Sequence, residues 1–190
     1  MKIILASKSP RRKELLTLIT SDFEVVVSDA DENVDDIHSP EEIVKEIATR
    51  KARAVSSMFD EDNIVIGSDT IVVVDDEILG KPKDREDAVR MLHLISDRVH
   101  EVMTAICVIT RKDGEISEYI DCDTTKIHVK QLSDDDIEKW LNTGNAWDKA
   151  GAYAIQQEFS VHIDKINGNY ATVVGLPVHL VYDAIKDSLQ

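Results

Sequence analysis

Cysteine is almost missing from this chain: Cys107 and Cys122 are the only two in 190 residues. Both fall in strand-like segments and neither belongs to a Cys-x-x-Cys. Two thiols cannot build a disulfide framework, so they read as reduced filler. No apolar run approaches the ~20 residues that a membrane span needs, and the N-terminus has no signal-peptide pattern. The cytoplasm is the expected compartment, with no membrane as partner. Positive charge is also scarce, with 22 Lys and Arg against 37 Asp and Glu, a net charge of −15. Such a field repels nucleic acid at long range and argues against broad, non-specific binding to it. The six histidines are scattered, with no His-x-His or HExxH spacing. Zinc is therefore disfavoured, and any metal would be a hard one held by carboxylates, which suits Mg²⁺ or Mn²⁺.

What is present suits a folded enzyme-sized unit. An apolar content of 43% over 190 residues is ordinary for one domain spanning residues 1–190, or for two lobes sharing one sheet. The spacing predicts a strand over 2–6, then a helix over 10–19 with Ser9 as N-cap and Pro10 at its first position. A strand over 23–27 ends in an acidic loop at 28–32, and Ser39-Pro40-Glu41-Glu42 is a capping box opening a helix to about residue 57. An apolar strand over 64–74 turns at Asp75-Asp76, and Asp84 caps a helix reaching about residue 95. Alternating runs at 99–110 and 116–129, joined through Asp113-Gly114, read as a hairpin. Ser133 caps a helix over 134–142; strands at 160–166 and 170–174 flank a turn at Asn167-Gly168-Asn169; a last helix starts at Pro177. Strands mixed with helices and hairpins define an α/β protein with a mixed sheet.

Two anomalies carry the chemistry. Asp69 sits inside the most apolar strand, where an ionised carboxylate is costly unless a cation or strong donors meet it. The neighbouring Gly67 marks a place where something must approach the backbone closely. At the N-terminus, Ser7-Lys8-Ser9-Pro10 leads into Arg11, Arg12 and Lys13 in a first helical turn. Cations there oppose the helix dipole by roughly 0.3–1 kcal/mol each. A bound anion removes that conflict, because free N–H groups and guanidinium forks all favour phosphate. A single such arginine is ordinarily a solvated cation; three in one turn point to phosphate. Lys51 falls inside the apolar stripe of its helix, so it either snorkels out or meets an anion, and the pattern leaves both open. Asp31, Glu32 and Asp69 offer oxygens for a divalent ion, whereas Asp29, Asp35 and Asp36 read as solvated.

Ala6-Ser7-Lys8-Ser9-Pro10-Arg11-Arg12-Lys13-Glu14-Leu15-Leu16 resembles the opening of the Maf (septum-formation) family of nucleotide pyrophosphatases. The resemblance continues through Lys51-Ala52-Arg53-Ala54, Gly67-Ser68-Asp69-Thr70, Gly80-Lys81-Pro82, Asp148-Lys149-Ala150-Gly151-Ala152-Tyr153 and Val174-Gly175-Leu176-Pro177. It implies hydrolysis of a nucleoside triphosphate to the monophosphate and pyrophosphate with a divalent metal, removing non-standard nucleotides. The fold it implies is inosine-triphosphatase-like, an elongated mixed sheet flanked by helices, in two lobes around a central cleft. By position Asp69 matches the proton acceptor, and Glu32 with Asp69 the metal carboxylates. Ser7, Arg12, Lys51 and Lys81 match phosphate positions, and Arg11, Thr70 and Gln156 match positions associated with base specificity. The block around Tyr153 resembles the dTTP/UTP branch, whose pyrimidines, ordinary or base-modified, are then the expected substrates. Here Ala154 and Gln157 stand where that branch carries glycine. The expected partner is this nucleotide, with a homodimer open. A nucleotidyltransferase is the enzymatic rival, but that class leans on a Gly-rich loop which Ser7-Lys8-Ser9-Pro10 is not. A non-enzymatic regulator of cell division is the rival of another class.

Overall fold

The computed structural model describes residues 1–27, 29–34 and 39–189; Asp35, Asp36 and His38 lie outside them. Its elements run β1 (Lys2–Leu5), α1 (Pro10–Leu16), β2 (Glu24–Val25), α2 (Pro40–Ser56), β3 (Asn63–Val74), β4 (Glu77–Leu79) and α3 (Arg85–Ile95). There follow β5 (Val99–Lys112), β6 (Glu115–Val129), α4 (Asp134–Asn142), β7 (Ile163–Asn167), α5 (Tyr170–Val174) and α6 (Val178–Ile185), with short 3₁₀ turns at Ala150–Ala152, Gln157–His162 and Lys186–Ser188. The hydrogen-bonded strand order is β2-β1-β3-β5-β6-β7, with β4 on β3, seven strands in all. β1 runs parallel to β2 and β3, whereas β4 on β3 and β7 on β6 are antiparallel. The sheet is therefore mixed, as expected. The chain divides into two compact units, one of residues 1–69, 104–123 and 175–190, the other of 70–103 and 124–174.

In the first unit α2 lies on the sheet. Ile4, Ala6, Ala52, Val55, Val65, Cys107 and Ile109 form one buried cluster, flanked by Val26 and Phe59. Gly67 is the reason the helix comes so close: a Cβ there would lie 2.5 Å from the Ala48 carbonyl oxygen and 2.8 Å from the Ala52 Cβ. In the second unit Phe159 lies 5.3 Å, centroid to centroid, from both Trp140 and Tyr153. The turns follow their chemistry. Asp75 and Asp76 both have positive φ (47° and 67°) between paired Val74 and Glu77, the two-residue turn that suits strand twist. Asp113 and Gly114 do the same between β5 and β6, with φ of 53° and 84°.

Five local expectations need correction. α1 ends at Leu16 rather than residue 19, and β2 is two residues long. Ser39 occupies the N-cap of α2 with Pro40 behind it, but its hydroxyl makes no cap bond, so the capping box is not formed. Residues 160–162 belong to a 3₁₀ turn, and the strand begins at Ile163. Residues 170–174 are helical, not a strand. There the Asn169 carboxamide oxygen accepts the Ala171 N–H at 2.9 Å, and Thr125 Oγ1 accepts the Asn169 N–H at 2.8 Å. Those bonds start a helix where β-branched side chains alone argue for a strand.

Candidate active site

The first unit holds six of the nine candidate site residues: Ser7, Arg11, Arg12, Glu32, Lys51 and Asp69. β1 ends at Leu5, and its continuation through Ala6 brings buried Ser7 to the start of α1. Ser7 Oγ accepts the Ser9 N–H at 3.2 Å, and Ser9 caps the helix by accepting the Arg12 N–H at 3.4 Å. Arg12 then turns inward. Its Nε donates to the Gly175 carbonyl at 2.8 Å and a terminal nitrogen donates to the Ser68 carbonyl at 2.7 Å. Ser68 Oγ donates to the same Gly175 oxygen at 3.1 Å. One guanidinium thus fixes the backbone immediately before Asp69. Burial pulls Arg12 below its ordinary pKa, and the charge of Asp69 opposes that pull. Arg11 is half-buried in the same turn, and Lys13 is exposed.

Lys51 resolves the alternatives left by its helix pattern, because it meets anions. Its ammonium lies 2.7 Å from Asp69 Oδ1 and 2.9 Å from Glu32 Oε1. The Lys51 and Asp69 side chains are 18% and 15% exposed, so this pair is shielded from solvent, while Glu32 at 59% opens toward it. The close seat of α2 on Gly67 carries Lys51 to Asp69, since both belong to the same stretch of helix–strand contact. Asp31 behaves otherwise: its carboxylate accepts the Asn33 N–H at 2.9 Å, a local turn bond.

The donor set around Lys51 fits a hard divalent ion. Two carboxylates share one ammonium, which stands where a cation is wanted, and neither His nor Cys takes part. Among the described residues no group of three or more His, Cys, Asp or Glu could hold a metal by itself. Mg²⁺ is content with one or two carboxylates, completing its shell with water and substrate phosphate.

Two contributors carry no role in the sequence reading. Arg50 donates to the carbonyls of Asp31 at 3.3 Å and Asn33 at 2.5 Å, bracketing Glu32 and tying its loop to α2 beside Lys51. Gly175, legible only as part of a closing motif, supplies the carbonyl on which Arg12 and Ser68 converge.

Thr70, Lys81 and Gln156 belong to the second unit. Thr70 follows Asp69 along β3 and is half-buried. Lys81 is exposed on a loop whose Gly80 carbonyl accepts the Gly151 N–H at 3.0 Å. Gly151 needs its positive φ of 69°, and a Cβ there would press on Val72 at 3.2 Å. Gln156 is half-buried just before Gln157, which holds a φ of 64°. The glycine absent at 157 thus falls on a left-handed backbone, whereas Ala154 has no such φ.

A strand–loop–helix that turns an arginine inward, next to a lysine shared by two carboxylates, is an arrangement suited to a phosphorylated ligand and its metal. The chain belongs to the family described as Maf-like protein, whose model matches residues 2–188. It is 46% identical over 186 residues to the dTTP/UTP pyrophosphatase of Thermoanaerobacter sp. (strain X514), covering 98% of this chain and 96% of the relative. The dTTP/UTP pyrophosphatase of Caldanaerobacter subterraneus subsp. tengcongensis is 48% identical, with coverage of 98% and 88%. Among solved structures, a nucleoside-triphosphatase / dITP/XTP pyrophosphatase from Mycobacterium abscessus covers 70% of this chain and 76% of its own at 20% identity. Its TM-score is 0.43, too loose a likeness to place any residue.

Proposed function

We propose that this chain is a nucleoside triphosphate pyrophosphatase that hydrolyses dTTP and UTP, ordinary or base-modified, to the monophosphate and pyrophosphate. The observation that carries the reading is Lys51 held between Asp69 and Glu32 in a chain so close to proteins of that name. Water attacks the α-phosphorus, the bridging α–β P–O bond breaks, and pyrophosphate leaves with the electron pair. Asp69 orients the water and takes its proton. Lys51 keeps that carboxylate oriented and meets charge as it develops. Arg12, Ser7 and Lys81 bind phosphate oxygens. Glu32 and Asp69 would hold the divalent cation, Mg²⁺ or Mn²⁺, which when bound neutralises the growing negative charge.

Gln156 reads the base. Its amide donor and acceptor match the N3–H and a carbonyl of thymine or uracil together, with Arg11 and Thr70 limiting how the base enters. A pocket of that kind rejects a base that leaves its polar groups unpaired. The reaction is assigned to the cytoplasm, with the nucleotide rather than nucleic acid or membrane as ligand, in keeping with the charge of −15. No helix of the described residues is long and apolar enough to cross a membrane. The test is a panel of nucleoside triphosphates incubated singly with Mg²⁺ or Mn²⁺. Pyrophosphate release from dTTP and UTP ahead of ATP and GTP, without a second substrate, is expected. Release only when an acceptor is added would instead make the chain a nucleotidyltransferase, and no release would leave a regulator.

A further inference from the structure

We propose that His100 is a positioning residue for base discrimination, acting through Tyr153 on the segment that presents Gln156. The inference rests on the nucleotide reading above and names a device that serves it. The segment Ala150 to Gln157 is unusual in its backbone. Gly151, Ala152 and Gln157 all have positive φ, at 69°, 59° and 64°. For alanine and glutamine that conformation is strained, and it persists only where the surroundings over-determine it.

Besides the local turn bond from the Ala152 N–H to the Lys149 carbonyl at 3.2 Å, three bonds do so, all within the second unit. The Gly151 N–H donates to the Gly80 carbonyl at 3.0 Å, and Trp140 Nε1 donates to the Ala152 carbonyl at 2.7 Å. Both use backbone atoms of the segment and would survive any tolerated side chain there. The third does not: Tyr153 Oη and His100 Nε2 are 2.6 Å apart, fully inside the protein. Tyr153 is 5% exposed and His100 2%. The two rings meet edge to face at 5.2 Å.

A donor count fixes the direction of this bond. Burial holds His100 down to about 4, so the imidazole is neutral at pH 7 with a single N–H. If the Tyr153 hydroxyl donates to Nε2, one group is left over, Nδ1, which has no partner. The reverse assignment would orphan the hydroxyl hydrogen as well. A buried imidazole with an unpartnered nitrogen is a poor choice for filling a core, where an aliphatic or aromatic side chain leaves nothing unsatisfied. What histidine supplies is an acceptor for the tyrosine hydroxyl.

Beyond Tyr153 the chain has one more buried anchor, Ile155 at 8% exposure, before Gln156 and the left-handed Gln157. The orientation of Gln156 is therefore set between the Tyr153 anchor and the Gln157 turn. Freeing the hydroxyl lets the segment relax its strain by rotating, and Gln156 rotates with it.

The experiment compares kcat/KM for dTTP and ATP in wild type, Tyr153→Phe, His100→Leu, His100→Gln and the Tyr153→Phe/His100→Leu double variant. Tyr153→Phe keeps the ring against Phe159, and circular dichroism with a thermal midpoint verifies folding. The dTTP preference should fall about tenfold in Tyr153→Phe and in His100→Leu, mostly through a higher KM for dTTP. The double variant should lose no more than either single one. His100→Gln, whose amide oxygen can accept the hydroxyl, should recover part of the preference. A folded Tyr153→Phe that keeps the wild-type preference, or loses activity equally on both nucleotides, overturns the proposal while the reading of function stands. A wild type without preference for dTTP overturns both.

Discussion

Lys51 serves two carboxylates with one ammonium, and the site should answer substitution accordingly. Asp69→Asn keeps the shape of the side chain while removing its charge and basicity. Turnover should drop roughly 10²-fold or more, the scale of a lost general base, with circular dichroism unchanged. Near-normal turnover in the folded variant would make Asp69 structural only. Arg12 answers differently, because its fork spans two backbone carbonyls, at 2.8 and 2.7 Å. Lysine offers a point charge on a flexible stem and cannot span both. Arg12→Lys should therefore behave almost as badly as Arg12→Ala. It should raise KM for the triphosphate and lower stability by about 1–3 kcal/mol in urea titration, the cost of an unsatisfied buried carbonyl. A lysine variant close to wild type would limit Arg12 to a simple phosphate charge.

Helix α2 sets the site because it rests on Gly67. An added methyl there would collide with the Ala48 carbonyl at 2.5 Å and with Ala52 at 2.8 Å, and backbone gives less readily than a flexible side chain. Gly67→Ala should cost about 1–3 kcal/mol as an overpacked contact. It should also lower turnover further, since the helix that must shift carries Lys51. Gly80→Ala is the stability control, its methyl meeting nothing within 4 Å, and should leave the urea midpoint almost unmoved. Gly67 was legible as a close approach, and Asp69 as a carboxylate needing a cation, because each violates the pattern of its strand. The β3–β4 and β5–β6 turns were legible for a related reason, that their residues accept positive φ. The misreadings have the opposite character. Tyr170–Val174 looks like a strand by composition, but the Asn169 carboxamide that accepts the Ala171 N–H, itself held by Thr125 from 44 residues away, starts a helix. Arg50 was illegible because its function lies in backbone carbonyls, which leave no trace in a side-chain pattern.

Over the whole molecule, acid affects stability through two opposed routes. Protonating carboxylates relieves the self-repulsion of a chain carrying −15, which favours the folded state as the pH falls, although Asp87, Glu118 and Asp136, held low by their hydrogen bonds, individually pull the other way. His100 works against this. In the folded protein burial keeps it neutral down to about 4, whereas in the unfolded chain it takes up its proton near 6.5. Between those values the unfolded chain binds the extra proton, so stability is lost as the pH drops. The loss attributable to His100 approaches about 3 kcal/mol at pH 4. Both cysteines stay out of this range, since burial pushes Cys107 and Cys122 up to about 11. The carboxylate contribution is common to wild type and to His100→Gln, so it cancels in their difference. Urea unfolding of both proteins at pH 7, 6, 5 and 4 should therefore show a gap that changes steadily in favour of the glutamine variant as acid is added. A gap independent of pH would mean that His100 is protonated in the folded protein as readily as in the unfolded one, and that its environment is not the dry one described.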